Sequence, residues 1–146
     1  MTGRPRLDRP RLDRPRLDQQ VTFLYAEDAE ACWRFYEATV GLELVQDQGT
    51  CRIYAAAEGG RAFLGICRAR APRASENPRA EGGVVFTFVS EDVDGWHHFL
   101  TERGAEVPAP PALSEAYRVY HFFFRDPAGH TLEVQRFERP DWPSPG

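Results

Sequence analysis

Two segments of this chain repeat the same order of residues, and this internal repeat constrains the fold more than any other feature. The first copy runs Asp-Ala-Glu-Ala-Cys-Trp-Arg-Phe-Tyr from Asp28 and continues Gly-Leu-Glu-Leu from Gly41. The second runs Asp-Val-Asp-Gly-Trp-His-His-Phe-Leu from Asp92 and continues Gly-Ala-Glu-Val from Gly104. The Asp residues are 64 positions apart (92 − 28), too long a period for a solenoid repeat. We therefore expect one module, present twice, in a single domain.

Each copy predicts a strand, a helix and further strands. An apolar strand precedes each Asp, at 20–26 and 83–90. Asp favours the start of a helix and Gly its end, which predicts helices at 28–39 and 92–103. Between the modules lies a polar, Pro-containing linker at 69–82. The remaining predicted elements are strands at 42–47, 50–57, 61–68, 105–108, 117–125 and 130–137, with a Pro-rich loop at 108–113.

The two ends of the chain differ from its centre. Residues 1–18 include three copies of Arg-Pro-Arg-Leu-Asp, and a Pro in every fifth position excludes a stable helix, so we expect a disordered tail. The last residues, 139–146, are expected to form a second, loose tail. We place a single domain at 19–138, with its first module at about 20–68 and its second at about 83–137.

The composition and charge of the chain argue against several classes of function. Residues 4–18 carry six Arg and three Asp, which gives this segment a net charge of +3. Since the whole chain has a net charge of −4, the rest of it carries −7 (−4 − 3). Such an acidic domain is a poor binder of nucleic acid, since phosphate contacts need a basic face. The chain has no Lys, which excludes Schiff-base chemistry. No apolar run approaches the roughly 20 residues of a membrane helix.

The cysteines favour a reducing environment. There are three, an odd number that fits free thiols better than a disulfide framework. With no apolar signal core at the N-terminus, we expect a cytoplasmic protein. Cys51 and Cys67 face each other across a predicted hairpin, which makes a redox pair conceivable, although unreactive thiols are favoured.

The most distinctive motif is a hairpin near the C-terminus. Phe122 to Arg125 is β-prone, and Asp126-Pro-Ala-Gly129 has turn chemistry. The strand from Thr131 then alternates polar and apolar residues, so Glu133 is expected to project away from the apolar side. This hairpin is a candidate wall of a site.

The element order and these motifs resemble the vicinal oxygen chelate superfamily, which includes glyoxalase I, bleomycin-resistance proteins and ring-cleaving dioxygenases. The matching motifs are the Asp28 to Gly41 segment and the Asp126-Pro-Ala-Gly-His-Thr-Leu-Glu hairpin, and the resemblance covers about 20–137. It implies an α+β fold of two βαβββ modules forming a curved mixed sheet around a pocket. It also implies a homodimer.

The resemblance implies four metal-ligand positions, and this chain fills one of them. Val21 and Val85 stand seven residues before the two helix-starting Asp residues, Gly65 takes the third position and Glu133 the fourth. One ligand cannot hold a divalent ion, since catalytic zinc needs about three. The sequence therefore predicts no bound metal and no other cofactor. His121 and His130 are alternative donors.

Strand alternation predicts an aromatic pocket containing one acid. The implied function is metal-free binding of a small aromatic or cationic molecule, as in bleomycin-resistance proteins. The alternative is a lyase, isomerase or dioxygenase that uses Glu133 as an acid–base group or as a metal ligand; whether the chain is an enzyme, and what its ligand is, stay open at this point. Glu133 is the candidate catalytic residue, and the predicted ligand-binding residues are Phe23, Tyr25, Phe63, Cys67, Thr87, Tyr120, Phe122, Phe124 and Gln135.

Overall fold

The computed structural model describes residues 18–71 and 84–142. Most of the predicted N-terminal tail and of the 69–82 linker, and the end of the C-terminal tail, lie outside these ranges. The first module contains β1 (Gln20–Ala26), α1 (Ala29–Arg34), β2 (Leu44–Asp47), β3 (Cys51–Ala55) and β4 (Ala62–Arg68). The second contains β5 (Phe86–Val89), α2 (Val93–Glu102), β6 (Ala112–Ser114), β7 (Val119–Arg125) and β8 (Thr131–Phe137).

The two modules have the same topology. Their four-stranded sheets have the orders β1-β4-β3-β2 and β5-β8-β7-β6. In each sheet the first strand runs parallel to the last, and the other neighbours are antiparallel. The duplicated α+β fold expected from the repeat is therefore confirmed.

Side chains of the repeated Asp residues start both helices. The Asp28 carboxylate accepts a hydrogen bond from the Ala31 N–H at 3.1 Å, and Asp92 accepts one from the Gly95 N–H at 2.9 Å. Each bond satisfies one of the N–H groups that the first turn of a helix leaves free. Beyond α1 the chain widens into a π-helical segment, Phe35–Val40, which ends at Gly41 with a φ of 80°. Glycine adopts this left-handed conformation without strain.

One strand prediction was wrong. Residues 105–108 form no strand and make only a single bridge between Glu106 and Arg125. The strand beside β7 is instead β6, which begins in the last two residues of the segment predicted to be a Pro-rich loop. Its start has a simple cause: Pro108, Pro110 and Pro111 have no N–H to donate, so a ladder begins only after the last of them.

The two modules share one hydrophobic core. Tyr36, Leu64 and Ile66 from the first module and Phe124 and Leu132 from the second are completely buried in the same cluster. The rings of Phe35 and Phe124 pack across the boundary with their centroids 6.4 Å apart. Within the two described ranges, no helix has the length and apolar character needed to cross a membrane.

Candidate functional site

Glu133 lies on a different face of the second sheet from the aromatic residues predicted beside it. In the β7–β8 ladder Glu133 pairs with Phe123, and on its other side it pairs with Thr87. Cross-strand partners project to the same face, so Phe122 and Phe124 project to the other one. These two rings are 2% and 0% exposed and belong to the core.

The prediction that Tyr120, Phe122 and Phe124 share a face with Glu133 was therefore wrong. Tyr120 projects toward α2, where its hydroxyl donates to the Asp94 carboxylate at 2.6 Å. Phe122 packs edge-on against the ring of His97 in the same helix. On β7, His121 and Phe123 share the face of Glu133. The sequence signal for this strand register was the turn at Asp126-Pro-Ala-Gly. The hairpin that this turn closes pairs Arg125 with Thr131, and therefore Phe123 with Glu133.

Glu133 is a partnered carboxylate in a nearly buried position. Thr87 Oγ1 donates to its Oε1 at 2.8 Å, and His121 Nδ1 lies 2.5 Å from its Oε2. Because the carboxylate accepts the Nδ1 proton, the neutral imidazole carries its lone pair on Nε2. The predicted acid thus has an unpredicted partner, and Gln135 follows it on the same face of β8.

The residues at the implied metal positions do not fit a divalent ion. Val21 and Val85 have no donor atom. The ring of Phe23 covers Gly65, so that a Cβ built there would lie 2.5 Å from Cδ1 of Phe23. In the part of the chain that the structure describes, no three His, Cys, Asp or Glu side chains are grouped to hold a metal ion.

His130, the other alternative donor, belongs to a separate buried network. Its Nδ1 lies 2.6 Å from Asp126 Oδ2, which also accepts the Tyr36 hydroxyl proton at 2.8 Å. This network ties the π-helical segment after α1 to the turn between β7 and β8. Burial, together with the charge of Asp126, raises the pKa of the nearby Cys32 thiol to about 12.

The first sheet presents the predicted aromatic face. Phe23 pairs with Gly65 and Tyr25 with Cys67, so these side chains and Phe63 lie on one side. Phe23 and Tyr25 are 45% and 55% exposed. Cys67, however, is bonded to Cys51. The expectation of free thiols is therefore wrong for this pair, and Cys67 offers a ligand no thiol.

A cavity of about 1170 Å³ lies between the modules. Its lining includes Gln20 and Thr22 of β1 and the whole of β5, so both modules contribute to its wall. Of the predicted ligand-binding residues, Thr87 and Phe124 line it. Its aromatic lining consists of Phe86, Phe88, Trp96, Phe124, Phe137 and Trp142.

The charged residues around this cavity are all acidic. Glu43, Glu58 and Glu91 line it, and none of the lining residues that the structure describes is Arg or His. Outside the lining, the Arg136 guanidinium donates to the Glu91 carbonyl at 3.0 Å, and its charge interacts with that of Glu91. These acids lie in separate loops, which is why strand alternation missed them; only the net acidity of the domain pointed to them.

The comparisons with known proteins agree with this architecture. The family model of the Glyoxalase/Bleomycin resistance protein/Dioxygenase superfamily matches residues 17–134. No curated protein sequence matches the chain.

Several solved structures have the same fold. A lactoylglutathione lyase from Agrobacterium tumefaciens is 27% identical, with 86% of this chain and 97% of that chain covered and a TM-score of 0.63. TnmS3, an antibiotic binding protein from Streptomyces sp. CB03234, is 22% identical, with coverages of 86% and 98% and a TM-score of 0.65. A glyoxalase/bleomycin resistance protein/dioxygenase from Nocardioides is 18% identical, with coverages of 93% and 89% and a TM-score of 0.66.

Proposed function

The chain belongs to the Glyoxalase/Bleomycin resistance protein/Dioxygenase superfamily, and we propose that it binds a small aromatic cation, without a metal ion, in the cavity between its modules. The observation that carries this proposal is the lining of that cavity, which combines six aromatic side chains with three carboxylates. Small-molecule sites are typically concave and apolar with a few polar groups that orient the ligand.

The physical basis is charge and ring complementarity. Aromatic faces carry a negative π cloud that attracts cations, and carboxylates add a longer-ranged attraction. An anionic ligand would meet Glu43, Glu58 and Glu91 and find no basic side chain among the described lining residues. The structural neighbours include an antibiotic binding protein as well as a lyase, so this fold serves binding as well as catalysis.

Calorimetry with a matched pair of compounds tests the proposal. N-methylacridinium is a planar aromatic cation, and acridine at pH 8 has nearly the same shape without the charge. We expect the cation to bind, and to bind at least tenfold more tightly than acridine. In the triple variant Glu43→Gln/Glu58→Gln/Glu91→Gln, this preference should fall about tenfold, because exposed charges contribute a fraction of a kcal/mol each.

Glu115→Gln is the control, since Glu115 is exposed and lies outside the cavity; it should leave both affinities unchanged. Equal affinities of the wild-type protein for the two compounds would contradict the role of the carboxylates. Failure of the wild-type protein to bind either compound would contradict aromatic-cation binding altogether.

A second candidate function rests on the His121–Glu133 pair. The 2.5 Å contact fixes the imidazole and leaves Nε2 to accept a proton. This geometry suits a lyase or isomerase that removes a proton from a carbon beside a carbonyl. The dioxygenase alternative is not favoured, because three of the four metal-ligand positions are filled by Val21, Val85 and Gly65.

Proton exchange tests this second function. The probe is S-lactoylglutathione in D₂O, in which a base that removes the proton from the carbon beside the thioester carbonyl returns a deuteron. For an active enzyme we expect deuterium at that carbon with the wild-type protein, and at least a hundredfold less with His121→Asn or Glu133→Gln. Absence of exchange with the wild-type protein would count against this chemistry for that substrate.

A further inference from the structure

The C-terminal segment turns back onto the cavity. After β8 ends at Phe137, the Trp142 N–H donates to the Arg139 carbonyl at 3.3 Å, and the Arg139 guanidinium bonds the Asp141 carboxylate at 3.2 Å. This turn lays the indole of Trp142 on the ring of Phe137, with centroids 3.6 Å apart and planes 14° from parallel. Residues 139–142 of the predicted loose tail thus have a defined arrangement.

The Phe137–Trp142 pair lines the cavity and lies outside the core. Both rings are among the lining residues, whereas neither belongs to the buried cluster shared by the modules. Trp142 is 40% exposed. A large aromatic ring held in place and left partly in contact with solvent offers a flat face for a second ring.

We propose that the Phe137–Trp142 pair is a stacking platform for a planar ring of the ligand, which makes the C-terminal turn a determinant of ligand shape. This inference rests on the proposed function and adds two points to it: the ligand is planar, and Trp142 is a principal contact. The 3.6 Å spacing leaves no room for a third ring between the two, so the ligand stacks on the face of Trp142 that Phe137 does not cover.

Calorimetry with two cations of equal charge tests the platform. N-methylacridinium is planar, whereas tetrapropylammonium is not. We expect Trp142→Ala to weaken N-methylacridinium binding about tenfold and Trp142→Phe to weaken it less, because Phe keeps a ring at the position. Tetrapropylammonium binding should change less than twofold in either variant. Tyr117→Ala, which removes an exposed aromatic ring outside the cavity, is the control.

The outcomes separate this inference from the proposed function. If the wild-type protein binds N-methylacridinium and Trp142→Ala keeps that affinity, the platform is refuted and the proposed function stands. The platform is also refuted if Trp142→Ala weakens both cations equally, since the ring would then act on the cavity as a whole. If the wild-type protein binds neither cation, both proposals fail. A melting temperature for each variant shows that the comparison is made between folded proteins.

Discussion

Phe123 and Phe124 show how one step along β7 separates the face of Glu133 from the core. Phe123 pairs with Glu133 and is half-buried, whereas Phe124 is fully buried and packs against Phe35 of the first module. Alternation along a single strand reveals that neighbours differ, but it does not reveal which of them faces inward. That assignment needs the register of the hairpin, and the register depends on where the turn closes.

Substitution of these two neighbours tests the assignment. Phe124→Ala should lower the free energy of unfolding by about 3–5 kcal/mol, because it leaves a cavity in the shared core. Phe123→Ala should lower it by roughly half as much or less, since that ring is already in partial contact with solvent. Urea unfolding of both variants measures the difference. A larger loss for Phe123→Ala would mean that the faces are assigned the wrong way round.

At the scale of elements, local chemistry predicted most of the fold. The helix starts at Asp28 and Asp92 followed from N-cap chemistry, and the hairpin followed from its turn residues. The π-helical segment and β6 could not be predicted, because both depend on tertiary packing and on where a neighbouring strand offers free hydrogen-bonding groups.

The Cys51–Cys67 bond joins residues directly opposite each other in β3 and β4. The predicted hairpin had placed these two cysteines opposite each other, whereas the odd number of cysteines in the chain had favoured free thiols.

Alkylation with iodoacetamide tests the state of the three cysteines. Burial in the fold raises the pKa of the Cys32 thiol from 9.0 to about 12. The contribution of the protonated thiol to the free energy of unfolding is therefore complete below pH 9 and is lost as the pH rises toward 12. At pH 8 we expect no label on the native protein, one label after unfolding without reductant, and three after unfolding with reductant, as read by intact mass. Three labels without reductant would show that Cys51 and Cys67 are unbonded.

At the scale of the whole molecule, edges and exposed apolar groups favour a second copy as partner. In the described ranges β1 has a single sheet neighbour, and its Val21, Phe23 and Tyr25 are exposed outside the cavity. Edge strands and apolar surface of this kind are commonly covered by oligomerisation. The proposed site was only partly predictable, because the carboxylates that line the cavity come from separate loops of the two modules.

We therefore expect a homodimer. Light scattering at micromolar concentration should give about twice the chain mass of 16.6 kDa. Phe23→Glu, which places a charge on the exposed face of β1, should shift the protein toward monomer, whereas Tyr117→Glu should not, because Tyr117 lies in the turn before β7. A wild-type mass near that of one chain would contradict the expectation.

The central claim is that a planar aromatic cation occupies the cavity between the modules, and a crystal structure of the complex with N-methylacridinium tests it most directly. The account predicts density for the ring system in this cavity, stacked on Trp142 and close to at least one of Glu43, Glu58 and Glu91. Density against His121 and Glu133, outside that cavity, would contradict the account and favour the acid–base function of that pair.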